Sequence, residues 1–272
     1  MRALAWLSLL LIPVCTAGPA APLPTGAVPK LAIIIDDIGP RYRESLAATD
    51  LPGKLTLALL PQQPNAARLA ERAARNGKEI MLHLPLEASN GKALGPGGIT
   101  LHMGENEFRQ RVRDNLASIP HVRGVNNHMG SLLTRHPGAM TWLMDELRQA
   151  GNVYFIDSRT DHRTVALRMA AEAGLPRAER DLFLDNVQDS TAIRAELERA
   201  VMLAKAQGQA VAIAHPYPET LLVFQQELAD FRSRHGVELV LVSELLAAST
   251  AAMTTTAEFE EVPDGERTRS PR

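Results

Sequence analysis

The sequence predicts an α/β domain whose parallel strands close into a (β/α) barrel. Three observations carry that expectation. Short apolar runs alternate with longer amphipathic segments along most of the chain. The short runs are continuously apolar, as suits parallel strands covered on both faces. Six of the runs end on ionisable residues, Asp36-Asp37, His83, His128, Asp157, Asp185 and His215. A doubly wound sheet would spread these endings along an edge, whereas a barrel brings them to one mouth, where such folds keep their active sites.

Candidate strands fall at 31–36, 55–60, 79–84, 124–127, 153–157, 182–185, 210–214 and 238–242. Candidate helices fall at 65–76, 105–119, 137–150, 165–173, 190–207 and 219–235. Asn76-Gly77, Ala150-Gly151 and Gln207-Gly208 each put glycine where a helix should stop. Pro137 suits the first turn of its helix. Segment 87–102 carries Gly91, Gly95, Pro96, Gly97 and Gly98 and reads as a long loop above the strand ends.

With 272 residues, 45% hydrophobic and 22% charged, the composition is that of an ordinary globular protein. A formal net charge of −2 gives no basic field for nucleic acid or an anionic membrane. Arg2, the apolar run 4–14 and the small residues at 15–17 read as an export signal, 1–17, cleaved after Ala17. The run is about half the ~20 residues a membrane span needs, so no stable span is expected after cleavage. Val14 before Cys15 is a poor fit to lipidation, and cleavage would leave a cysteine-free, periplasmic or secreted domain without disulfides. Residues 18–29 read as an Ala/Pro linker, 30–247 as one folded domain, and 248–272 as a disordered tail.

The strand endings suggest metal chemistry. An acidic pair after a buried strand is costly unless compensated, and a divalent cation shared with two imidazoles would compensate it. Asp37, His83 and His128 make one carboxylate and two imidazoles, a set suited to Zn²⁺ or a similar first-row ion, with positions left open for water and substrate. Asp36, beside ligand Asp37, is the natural base. Neighbouring strand residues face opposite ways, so both serve only if the backbone turns there; Ile38-Gly39-Pro40 offers a break. A lone histidine after a strand is more often structural than ligating, and Asp185 reads equally as a turn cap or a site residue.

Several segments together resemble the divergent polysaccharide deacetylases. They are Leu31-Ala32-Ile33-Ile34-Ile35-Asp36-Asp37-Ile38-Gly39, Met81-Leu82-His83-Leu84-Pro85-Leu86-Glu87 and Gly124-Val125-Asn126-Asn127-His128-Met129-Gly130-Ser131. Tyr154-Phe155-Ile156-Asp157-Ser158-Arg159-Thr160 and Ala212-Ile213-Ala214-His215-Pro216 complete the series in order. The resemblance implies a distorted (β/α) barrel of about seven parallel strands. It further implies Asp37 as a metal ligand, Asp36 as base, His215 as general acid and Asp157 as a residue that orients a partner. The main deacetylase family takes two ligands from a His-x-x-x-His turn, but here Leu132 stands four residues after His128. The third ligand must come from elsewhere; His83 is the first choice and His136 the alternative.

The expected function is metal-dependent hydrolysis of acetyl groups on an extracytoplasmic glycan, peptidoglycan or another envelope sugar. Two Trp, three Tyr and six Phe leave little for sugar stacking, so any subsite should be mainly polar. One rival is a non-catalytic envelope factor that binds glycan or protein through the same barrel. Another is a different metal-assisted hydrolase, acting on amide or phosphate bonds, for which Arg159 and Arg163 would have to form the cationic clamp.

Overall fold

A computed structural model describes residues 27–248. The expected signal, nearly all of the linker and nearly all of the tail lie outside the described residues. The strands are β1 (Lys30–Ile38), β2 (Thr56–Leu59), β3 (Glu79–Leu86), β4 (Val122–Met129), β5 (Tyr154–Asp157), β6 (Arg177–Glu179), β7 (Leu182–Phe183), β8 (Gln209–Ala214) and β9 (Glu238–Val240). All pair in parallel in one sheet of order β6-β5-β4-β3-β2-β1-β8-β7, with β9 beside the first part of β1, below β2.

The two ends of that sheet are one stretch of chain. β6 pairs with β5 and β7 with β8, and only Arg180 and Asp181 separate them. The Arg180 amide donates to the Asp157 carbonyl and the Asp181 amide to the Val211 carbonyl. The segment acts as a single stave linking both edges, so the sheet curls into a distorted barrel.

The helices are α1 (Tyr42–Thr49), α2 (Ala66–Arg75), α3 (Glu105–Ala117), α4 (Pro137–Ala150), α5 (Ala166–Glu172), α6 (Ser190–Gln207), α7 (Pro218–Glu227) and α8 (Phe231–His235). The pattern reading overlooks α1 and joins α7 to α8 across a break before Phe231. Gly77, Gly151 and Gly208 follow their helices at φ of 73°, 68° and 85°, positive values that glycine adopts without a Cβ penalty.

Both faces of the strands are buried, and successive residues part between two apolar layers. Leu31, Ile33 and Ile35 of β1 pack in the outer layer beneath the helices. Ala32 and Ile34 join Ala58, Met81, Tyr154, Ile156, Val211, Ile213 and Val240 in a second cluster that fills the barrel. At its lower end the buried Glu79 carboxylate accepts from Thr56 Oγ1 at 2.9 Å and Tyr154 Oη at 2.7 Å. It also takes the Ser243 amide at 3.2 Å. This network ties β2, β3 and β5 to the start of the final helical segment, 242–248.

Candidate metal centre

The two-residue alternation that fills the barrel also aims the chemistry. Ala32 and Ile34 lead to Asp36, Met81 to His83, Asn126 to His128, and Val211 and Ile213 to His215. Asp37 should by that rule face outward. Instead its φ is 57°, and the pairing of β1 with β2 slips between Ile35 and Ile38. The backbone turns at Asp37 itself, one residue before the expected break, and the left-handed conformation is one aspartate tolerates better than most residues. Asp36 and Asp37 therefore both reach the mouth.

Three ligand-type atoms converge there. Asp37 Oδ1 lies 3.0 Å from His128 Nδ1 and 3.4 Å from His83 Nε2. The two ring nitrogens are 3.1 Å apart. Among the described residues this is the set of His, Cys, Asp and Glu side chains placed to hold an ion. Asp37 Oδ1 is buried yet has no hydrogen-bond donor in line with it. Ligand atoms about 2.0–2.1 Å from a tetrahedral Zn²⁺ sit roughly 3.3 Å from one another, so the observed triangle fits a small divalent ion. His136 is exposed at the start of α4, outside this cluster.

Asn126 sets the orientation of His83. Its Nδ2 donates to Asp36 Oδ1 at 2.7 Å, and its Oδ1 lies 2.7 Å from His83 Nδ1. A carboxylate only accepts, so the amide must present its oxygen to His83. His83 therefore donates from Nδ1 and turns Nε2 toward Asp37 and His128, the arrangement a ligating histidine needs.

The electrostatics follow from burial and these neighbours. Burial disfavours a charged His83, but Asp36 and Asp37 outweigh it and raise the imidazole to about 9. Burial acts upward on Asp37, and the two imidazoles beside it overcome that and hold it well below the usual carboxylate range. Burial pushes Asp36 up, with His83, His215 and Asn126 drawing it partly back.

Across the mouth, His215 is fixed by Asp185. His215 Nδ1 is 3.0 Å from Asp185 Oδ1, and the other carboxylate oxygen takes the His215 amide and Thr220 Oγ1. With Nδ1 held, Nε2 is the nitrogen left for the site. Burial works against the imidazolium, but Asp185 and the more distant Asp36 raise the His215 pKa.

Residues 33–246 match the family described as divergent polysaccharide deacetylase. The chain belongs to this family. It is 34% identical over 238 residues to YibQ, an uncharacterized protein of Escherichia coli strain K12, covering 88% of this chain and 73% of that one. An uncharacterized protein of Haemophilus influenzae is 34% identical over 199 residues, covering 73% and 71%. The crystal structure of uncharacterized protein ATU2773 from Agrobacterium tumefaciens C58 shares the fold, with a TM-score of 0.75 at 24% identity. That likeness covers 83% of this chain and 92% of the other.

The residues that the sequence places at the site thus meet at one mouth, with one exception. Asp157 follows the inward-facing Ile156 and so faces the other way. Its carboxylate takes the Arg159 amide and Thr164 Oγ1, each at 2.8 Å, and braces its own loop. The carboxylate that contacts His215 is Asp185 instead. Sequence reasoning missed Asn126 and Thr220. For Asn126 a signal was present, because it lies two residues before His128 on one strand and must share its face.

Proposed function

We propose that the protein is a metal-dependent hydrolase that removes acetyl groups from an extracytoplasmic glycan. Asp37, His83 and His128 would hold the ion, with Zn²⁺ the best match to the donor set. The observation that carries the reading is the meeting of this triangle with a buried carboxylate and a carboxylate-held imidazole at one barrel mouth. The apolar run 4–14 supports export, which would place the substrate among envelope sugars such as peptidoglycan.

When bound, a divalent ion supplies Lewis acidity toward a carbonyl oxygen and toward water. The chain's own groups do the proton work. Asp36 accepts a proton from the attacking water, and its burial makes it a stronger base than an exposed aspartate. Asn126 keeps that carboxylate in place through Oδ1. The new C–O bond forms at the acetyl carbon as the bond to the sugar nitrogen or oxygen breaks. His215 Nε2 gives its proton to the departing amine or alkoxide, and acetate is the second product. Asp185 favours the protonated imidazole needed for that step.

The test is acetate release from a panel of N- and O-acetylated envelope glycans by protein of measured metal content. Metal-dependent release supports the reading. A fully loaded protein that binds glycan without turnover would favour the non-catalytic binding factor.

A further inference from the structure

The notable feature of the mouth outside the metal triangle is a row of rings and guanidinium groups with His215 at its centre. Phe183 stacks on one side of His215, with ring centroids 6.0 Å apart, and Tyr217 lies on His215 at 5.4 Å. The outer ring of each pair carries a cation. The Arg180 guanidinium sits 3.8 Å from the Phe183 centroid and the Arg41 guanidinium 4.9 Å from that of Tyr217.

These two cations differ from others near the mouth. Arg163 and Arg135 face Asp161, and Arg159 pairs with Glu179. Among the described residues neither Arg41 nor Arg180 has a carboxylate at ion-pair distance. Arg180 is partly buried, and its Nε and Nη2 donate only to the neutral carbonyls of Ser158 and Arg159. Burial works against the Arg180 charge, and Asp157, Asp181 and Asp36 favour it only from beyond ion-pair distance. A guanidinium stacked on a ring still offers donors in its own plane, a geometry that suits the paired oxygens of an anion.

A cavity of about 290 Å³ opens beside Arg180 and Phe183. Its wall also carries Glu196, paired with Arg199, and Asp181, which accepts the Val211 amide.

We propose that this row selects glycans bearing anionic groups, with Arg41 and Arg180 each receiving a carboxylate on sugars flanking the one at His215. The inference rests on the reading of the site as glycan-acting and names the substrate class more narrowly. Phe183 and Tyr217 serve to hold the two guanidinium groups rigid, rather than to offer open faces to sugar rings.

Calorimetric titration of the full chain with two tetrasaccharides tests it. One is N-acetylglucosamine throughout; the other alternates N-acetylglucosamine with glucuronate. The acidic tetramer should bind about tenfold tighter, the scale of a charge-assisted guanidinium contact, and added salt should narrow the gap. Arg41→Gln and Arg180→Gln should each erase part of the difference and together most of it, and Arg41→Lys should restore part of what Arg41→Gln loses. Equal affinity for the two tetramers would overturn the selectivity and leave the glycan reading standing. Binding of neither would remove both. An acidic preference that survives both Arg41→Gln and Arg180→Gln would place the anion elsewhere and overturn the assignment.

Discussion

Asn126→Ala is the perturbation that probes the site's wiring most closely. The side chain makes two buried hydrogen bonds of 2.7 Å, one to Asp36 and one to His83. Removing it leaves a buried carboxylate oxygen and a ring N–H unpaired, each costing ~1–3 kcal/mol. Asp36 Oδ1 and His83 Nδ1 are already 3.7 Å apart, so direct pairing should recover part of the loss. A net destabilisation of about 3 kcal/mol in the metal-free protein is expected from these terms. The direct pairing would keep the proton on Nδ1 but requires the ring or the carboxylate to shift, so Nε2 is no longer held at the position an ion needs. Loss of such an orienting partner typically weakens metal affinity ~10–100-fold. Competition with a chromophoric chelator measures the affinity, and thermal unfolding of the metal-free protein measures the stability. Unchanged zinc affinity in a folded Asn126→Ala protein would refute the claim that Asn126 sets the ligand face of His83.

Asp36→Asn and His215→Ala should each slow acetate release ~10²–10⁴-fold while keeping the metal; metal loss would move that residue into the cage, and unchanged turnover would remove it from the mechanism. Asp185→Asn should lower the His215 pKa, followed by NMR of the ring protons. Because the folded-state pKa is raised, the pairing stabilises the protein below the unfolded imidazole value and loses that effect as pH rises through the folded one. The variant's stability deficit should therefore be largest on the acid side, and a deficit independent of pH would count against the ion pair. Gly124→Ala puts a Cβ 2.0 Å from the Tyr154 ring, so a loss of ~1–3 kcal/mol in denaturant titration is expected, and wild-type stability would mean the ring has room to move.

The apolar runs were legible because strands buried on both faces leave an uninterrupted signal. β6 was not, since Arg177-Ala178-Glu179 is short, polar and only partly buried. The barrel closes through that segment, so the closing stave is the least visible of all in the sequence. Strand endings located His83, His128 and His215, whose faces follow from alternation. Asp157 misled for the same reason: it ends a strand but falls on the outward phase. Asp37 reaches the mouth through a positive φ and a register slip that no hydrophobic pattern records. In the sequence Asp185 fits a cap and a site residue equally, and only its bonds to His215 and Thr220 decide between them.

The central claim is that Asp37, His83 and His128 hold one divalent ion. Elemental mass spectrometry of purified protein, alongside His83→Ala and His136→Ala, addresses it directly. About one ion per chain is expected in the parent and in His136→Ala, and occupancy reduced well beyond tenfold in His83→Ala. Full occupancy in His83→Ala together with loss in His136→Ala would contradict it.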